Sequence, residues 1–139
     1  MNKFYTTIEQ SSKLVEYNVD CNTADYSYVE IIGDGKGFVF TDKTIGEYLK
    51  NIRHPQLYNF LPVWSLGALL EIMPKKLYSI VDTYNLTLFE KDESWVCGYF
   101  SRGDGEEYCM KEGKTLMDAV FGMLCELLDK KLMKKGKDT

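Results

Sequence analysis

Apolar residues recur at intervals of three and four positions in four segments of the chain, which predicts four amphipathic helices. The first helix covers residues 8–17, with Thr7 as its N-cap and Gln10 completing a capping box. The second follows a cap at Thr41 or Asp42 and presents its apolar positions on one face. Both helices are therefore expected to pack against another element.

The third and fourth helices flank the carboxyl-terminal half of the chain. Ser65 is placed to cap the third helix, which Pro74 ends after two turns. Thr115 caps the fourth and longest helix, whose wide apolar stripe must be buried. That stripe consists of Leu116, Ala119, Val120, Met123, Leu124, Leu127 and Leu128.

Alternation with a period of two predicts strands between the helices. One strand covers residues 26–32, and three more, at 84–88, 95–100 and 106–111, follow one another as an antiparallel meander. Residues 56–63 show no such alternation and are predicted to form an ordered loop. The fold class predicted is α+β, an antiparallel meander with helices packed on it and the order α-β-β-β-α in the carboxyl-terminal half.

A glycine-rich segment at positions 33–37 follows the first strand directly. Such a loop can present backbone N–H groups to phosphate. Here Phe38, Val39 and Phe40 continue as a strand, whereas the Walker type of phosphate loop leads into a helix. We therefore predict a hairpin turn whose glycines adopt positive φ.

Composition and charge are those of a globular protein. The 139 residues are 45% hydrophobic and 27% charged, so we predict one domain covering residues 1–139, with sub-lobes 1–60 and 61–135 as the alternative. The net charge of −4 argues against a nucleic-acid binder, which needs an excess of Lys and Arg. The basic run at 130–137 is interpreted as a helix end and a solvated tail, rather than an arm for nucleic acid.

Localisation is predicted from what the sequence lacks. No stretch approaches the length of a membrane span, and the first residues lack the apolar region of a signal peptide. The four cysteines, Cys21, Cys97, Cys109 and Cys125, contain no CxxC pair and fit a reducing compartment. The protein is predicted to be cytoplasmic.

Candidates for catalysis and metal binding are few. His54, the single histidine, lies beside Pro55 in a predicted loop and has no evident partner. Cys97 and Cys109 lie on neighbouring predicted strands, where they could bind zinc or sense redox state, but two thiolates are half of a structural zinc site. We predict no enzymatic activity, no cofactor and no metal.

Aromatic residues make up 14% of the chain, more than one small core comfortably hides. Tyr and Trp are also the residues that dominate protein interfaces. Packing in the core and exposure at an interface account for them about equally well. The residues we select for a candidate interaction surface are Trp64, Trp95, Tyr99 and Tyr108.

Three stretches of the chain, 9–26, 64–74 and 115–128, carry a resemblance to other sequences. Their order and spacing resemble a group of uncharacterised small proteins encoded by gut bacteria of the Bacteroides type and by their phages and mobile elements. The middle stretch is the most specific, and the region 33–59 is longer than in that group. The resemblance implies a phage or mobile-element setting and no mechanism.

Two weaker similarities supply an alternative. The predicted α-β-β-β-α order is similar to a double-stranded RNA-binding domain, although Lys114 followed by Asp118 stands where that domain has a lysine cluster. Residues 112–119 resemble the strand-to-helix junction of antitoxins of the HicB type, which bind a partner toxin. We predict a non-catalytic accessory or interaction protein that self-associates or binds a protein partner, without a membrane or a small molecule. The alternative is a nucleic-acid-associated regulator or antitoxin-like protein.

Overall fold

A computed structural model of the chain describes residues 4–133. They form two compact units, residues 4–68 and 69–133, and the division lies within one short helix. Each unit contains an antiparallel sheet and at least one helix, which confirms the α+β fold class. In chain order the helices and strands are α1 (Ile8–Glu16), β1 (Tyr26–Ile31), β2 (Val39–Thr41), α2 (Ile45–Leu49), β3 (Tyr58–Val63), α3 (Leu66–Ile72), β4 (Lys76–Tyr78), β5 (Thr83–Lys91), β6 (Ser94–Ser101), β7 (Glu107–Gly113) and α4 (Leu116–Asp129).

The sheet of residues 4–68 has three strands in the order β2-β1-β3, all antiparallel. The glycine-rich segment connects β1 to β2, and Gly33, Gly35 and Gly37 have φ of 91°, 73° and 75°. Because such angles favour glycine, they account for the spacing of the three glycines. The predicted hairpin is confirmed, and the segment leads into a strand rather than a helix.

The predicted loop at 56–63 is wrong, because Tyr58–Val63 forms strand β3 and pairs with the whole of β1. Pro62 makes this strand difficult to predict from the sequence, because proline has no backbone N–H to donate to a neighbouring strand. It is tolerated here because β3 lies at the edge of its sheet, with β1 on one side only. The pairing partner is about thirty residues earlier in the chain, so no local pattern identifies it.

The N-cap predicted for α1 is confirmed, whereas the N-cap predicted for α2 is wrong. The Thr7 hydroxyl accepts from the Gln10 backbone N–H, and both halves of the predicted capping box are present. The prediction of Thr41 or Asp42 for α2 is wrong, because Thr41 belongs to β2 and Thr44 caps the helix with Glu47. The helix begins after Thr44 and ends at Leu49, so it is only five residues long.

The sheet of residues 69–133 is a four-stranded meander in the order β4-β5-β6-β7. The predicted order lacked β4, whose three residues are too few to show a period of two. Thr115 caps α4 as predicted, and α4 lies against β6 and β7. The buried side chains of α4 are Met117, Ala119, Val120, Met123, Leu124, Cys125, Leu127 and Leu128.

Within residues 4–133 no helix has both the length and the apolar character that crossing a bilayer requires.

Candidate interaction surface

Two of the four residues selected for an interaction surface are buried, so the selection is wrong for them. Trp64 has 0% of its surface exposed, and its indole N–H donates to the Thr23 hydroxyl at 2.9 Å. Tyr99 is also 0% exposed, and its hydroxyl donates to the Pro74 carbonyl at 2.7 Å. Burial raises the pKa of Tyr99 well above its ordinary value. Both side chains bury their rings and satisfy their polar ends inside the fold.

The other two selected residues lie at opposite ends of the four-stranded sheet. Trp95 is half-buried and pairs with Glu90 and Gly113, near the turn from β5 to β6. Tyr108 is 46% exposed and stacks on Tyr84 with ring centroids 4.9 Å apart, at the end where β6 turns into β7. The four predicted residues therefore do not form one surface.

Many of the remaining aromatic rings pack on one another. On one side of the three-stranded sheet, the ring of Tyr5 lies 5.0 Å from Tyr26 and 4.8 Å from Phe40. On the other side, Tyr48 of α2 lies 5.5 Å from Phe60. These contacts account for part of the high aromatic content of the chain by internal packing.

The most exposed apolar side chains of the described chain lie at the turn between β4 and β5. Ile80 and Val81 have 105% and 89% of their surface exposed, as open as in an extended chain, and Tyr78 has 76%. The Ser79 hydroxyl shapes the turn by accepting from the backbone N–H groups of Val81 at 3.2 Å and Asp82 at 3.0 Å. We call Tyr78, Ile80 and Val81 the hairpin tip.

The turn between β6 and β7 lies beside the hairpin tip. The Ser101 hydroxyl hydrogen-bonds to the Asp82 carboxylate, and the Arg102 N–H donates to the Thr83 carbonyl at 3.4 Å. Phe100 pairs with Glu107 across this end of the sheet, so Tyr108 also lies here. The two turns therefore form one end of the sheet.

We call this end the sheet-end surface. It comprises the hairpin tip, Tyr108 and the exposed charged residues Arg102, Asp104, Glu106 and Glu107. None of these four charged side chains forms an ion pair with another residue between positions 4 and 133. A hydrogen bond from the Glu106 backbone N–H lowers the pKa of the Asp104 carboxyl, so this residue is anionic at neutral pH. This end of the sheet therefore exposes apolar side chains together with one basic and three acidic residues.

Sequence analysis missed the hairpin tip. Ile80 and Val81 stand between Ser79 and Asp82, two residues that favour turns. Two large apolar residues between turn-forming residues are the signal in the sequence that could have indicated it.

Cys97 and Cys109 lie on the same face of the sheet but not directly opposite each other. Cys97 pairs with Lys111, and Cys109 pairs with Tyr99. Burial, with Cys109 as the second cause, raises the pKa of the Cys97 thiol to about 12, and burial also raises the pKa of Cys109. Both are therefore protonated at neutral pH and poor nucleophiles.

No group of three or more His, Cys, Asp or Glu side chains between positions 4 and 133 is arranged to hold a metal ion. His54 is exposed, and its carbonyl accepts from the Leu57 N–H at 3.0 Å.

A groove of about 330 Å³ opens on the three-stranded sheet of residues 4–68. Val29, Ile31 and Val39 form its floor. Asp34 and Lys36, from the glycine-rich connection, add one carboxylate and one ammonium group. Its volume suits a small ligand or one side chain of a partner.

No model of a known protein family, no curated protein and no solved structure matches the chain. The resemblance to small proteins of Bacteroides-type bacteria and their mobile elements stays a prediction. The exposed surface of the molecule is therefore the basis for a functional proposal.

Proposed function

We propose that the protein is a non-catalytic accessory protein that acts by binding protein chains. The observation that carries the proposal is the hairpin tip, where Ile80 and Val81 keep nearly all of their surface in water although the chain is folded. Burying one such side chain in a partner is worth about 1.5–3 kcal/mol. An exposed apolar group with charged residues in the neighbouring turn is typical of a protein interface.

The resemblance described above supplies the setting of the proposal. It supports a phage or mobile-element setting and implies no mechanism, so self-association or binding to a second protein is proposed from the hairpin tip. The alternative, an association with nucleic acid, has less support. At the start of α4 the exposed Lys114 is followed by the exposed Asp118, and Lys130 is ion-paired with Glu126 at 3.2 Å.

Site-specific photo-crosslinking tests the proposal. Val81→benzoylphenylalanine is expressed in the source cells and irradiated, and the mass of every adduct is determined. The matched control places the same residue at Leu57, which is 52% exposed in the other unit. We expect a discrete protein adduct at position 81 that is absent at position 57 and is lost when Ile80→Asp is added.

Three results would contradict the proposal. They are no protein adduct at position 81, an adduct to nucleic acid alone, or a protein adduct that survives Ile80→Asp. Light scattering of the wild-type protein with and without added nucleic acid gives an independent check, because a mass change that requires nucleic acid favours the alternative.

A further inference from the structure

Three aromatic rings of the first unit form a cluster on one face of the β2-β1-β3 sheet. The Tyr5 ring lies 5.0 Å from Tyr26 and 4.8 Å from Phe40, and the rings of Tyr26 and Phe40 are 5.5 Å apart. Solvent still reaches them, because Tyr5 and Tyr26 are half-buried and Phe40 is 39% exposed. We call these three residues the aromatic platform. Since each ring contacts the other two, their open surfaces are held in a fixed arrangement.

Two acidic side chains lie beside the aromatic platform. Asp25 precedes Tyr26 in the chain, and Asp42 follows directly after β2, two residues beyond Phe40. The pKa of Tyr26 is raised by the neighbouring Tyr5, by burial and by the carboxylates of Asp25 and Asp42. Both carboxylates are therefore close enough to act on the ring system.

A third carboxylate acts on the same face of the sheet. Burial and the Glu9 carboxylate raise the pKa of Tyr28, whose ring lies 6.1 Å from the platform. None of the three carboxylates forms an ion pair with another residue between positions 4 and 133. Lys43 leads into α2, which packs on the other side of the sheet, and its ammonium acts on Glu47 there. A cation is therefore the complementary occupant of this face.

The spacing of the rings determines where a cation can lie. Enclosing it between two ring faces needs about 7 Å between them, twice a van der Waals contact distance, and the three rings are closer than that. A cation must therefore lie against an outer ring face, where the contact is worth on the order of 1 kcal/mol. Such a contact is too weak to retain a small free ion, so the cation has to belong to a chain that makes further contacts.

The combination of ring faces and carboxylates favours arginine over lysine as the cationic residue. A guanidinium group is planar and weakly hydrated, so it can stack on a ring and donate to a neighbouring carboxylate at the same time. A lysine ammonium is compact and strongly hydrated, and it presents no plane to the ring. Nucleic acids and anionic membranes carry the wrong sign of charge for this face.

We propose that the aromatic platform binds an arginine side chain in a basic segment of a partner protein. The guanidinium group stacks on Phe40, the most exposed of the three rings, and donates to the Asp42 carboxylate. The site lies in the unit of residues 4–68, whereas the proposed function rests on the hairpin tip of the other unit. The inference therefore goes beyond that proposal, and either can fail without the other.

Titration calorimetry with three synthetic peptides of equal length tests the chemistry of the ligand. The peptides alternate glycine with arginine, with lysine or with citrulline, which has the shape of arginine and no charge. We expect the arginine peptide to bind about fivefold more tightly than the lysine peptide and about tenfold more tightly than the citrulline peptide.

Two substitutions test the location of the site. Phe40→Leu removes the ring and keeps an apolar side chain, and Asp42→Asn removes the charge and keeps the size. Each should weaken binding of the arginine peptide by about fivefold. The matched controls are Phe89→Leu, because Phe89 is 38% exposed in the other unit, and Asp34→Asn, at an exposed carboxylate in the connection from β1 to β2. Both controls should bind the peptide like the wild type.

A variant that fails to fold is recognised by its melting temperature. NMR of the isotopically labelled wild-type protein then replaces it as the test of location. The arginine peptide should shift the ring signals of Tyr5, Tyr26 and Phe40 and leave those of Phe89 unchanged.

Four results would each overturn the inference. They are no binding of the arginine peptide at millimolar concentration, equal affinity for the arginine peptide and either of the other two, wild-type affinity in Phe40→Leu or Asp42→Asn, or an equal loss of affinity in a control variant. These outcomes are independent of photo-crosslinking at position 81, so a failure here leaves the proposed function standing.

Discussion

In the unit of residues 4–68, buried side-chain hydrogen bonds connect segments that are distant in the sequence. In the unit of residues 69–133, one apolar helix packs against a sheet instead. In the first unit the buried Thr6 hydroxyl accepts from the Trp64 N–H at 3.1 Å and hydrogen-bonds to the Ser11 hydroxyl at 2.7 Å. The Asp25 carboxylate accepts from the Ser65 N–H at 2.8 Å. Each of these groups would be costly to bury without its partner.

In the second unit the contacts are mainly apolar, and the backbones approach closely. Leu124, Leu127 and Val120 of α4 have no exposed surface. Two strand glycines mark the close approaches, Gly98 against β7 and Gly113 against the start of α4. The comparison teaches that periodicity in the sequence reveals an apolar stripe, while polar contacts between distant segments leave no periodic pattern.

The largest effect is expected from Trp64→Ala in the first unit. The substitution removes a fully buried side chain and its hydrogen bond to Thr23, so the free energy of unfolding should fall by about 4 kcal/mol. Urea denaturation measures the change. Trp64→Phe is the control and should recover most of the loss. If Trp64→Ala weakens self-association and leaves the melting temperature unchanged, the Trp64 side chain is at an interface and not in the core.

Gly98→Ala breaks the second unit by steric conflict rather than by loss of contacts. A Cβ atom at this position would lie 2.6 Å from the Met110 Cβ and 2.7 Å from the Cys109 carbonyl oxygen. Strands β6 and β7 would have to separate, at a cost of about 3 kcal/mol in the free energy of unfolding.

Gly122→Ala in α4 is the matched control for Gly98→Ala. Its Cβ would meet Lys111 at 3.5 Å, an ordinary contact. Alanine favours the helix over glycine, so this variant should be stabilised by about 1 kcal/mol. Thermal and urea unfolding of both variants should therefore show changes of opposite sign. A shared sign would argue against the close packing of β6 and β7.

Asp25→Ala tests the polar connections of the first unit. The carboxylate accepts from both the backbone N–H and the hydroxyl of Ser65, at 2.8 Å and 2.5 Å. Hydrogen bonds to a charged group are the stronger kind, so the loss should be about 2 kcal/mol. Asp25→Asn keeps one acceptor oxygen and should lose about half as much. Equal losses for the two variants would show that the charge, and not the acceptor geometry, matters.

The smallest effect is expected from Glu126→Gln, which removes the ion pairs of Glu126 with Lys111 of β7 and with Lys130. The Lys111 ammonium lies 2.9 Å from the Glu126 carboxylate and lowers the pKa of Glu126 below its ordinary value of 4.5. Because Lys111 is 45% exposed, solvent screening makes this contribution small, and the decrease in the free energy of unfolding should be the smallest of these variants.

The pH dependence of this contribution follows from the direction of the shift. A lowered pKa in the folded state means that the stabilisation is present above pH 4.5 and is lost as the pH falls through the folded value. Urea unfolding at neutral and at acidic pH should show a difference between wild type and Glu126→Gln only at neutral pH. A difference that persists in acid would point to packing rather than charge.

The features that the sequence alone determined are local ones. Thr7 with Gln10 and Thr115 were identified as caps, because a cap and its partner are three residues apart. The hairpin after β1 followed from glycines that must adopt positive φ. The apolar stripe of α4 followed from a period that belongs to the helix itself. Each depends on neighbours along the chain.

The tertiary structure alone decided the pairing of distant segments and the burial of single side chains. Strand β3 exists because β1 supplies its hydrogen bonds, and Trp64 and Tyr99 are buried because distant segments cover them. The most exposed apolar side chains of the described residues, Ile80 and Val81, are those that a tight turn holds away from the rest of its unit. The physical reason is that burial depends on all the segments that meet at one point, whereas capping and periodicity depend on residues a few positions apart.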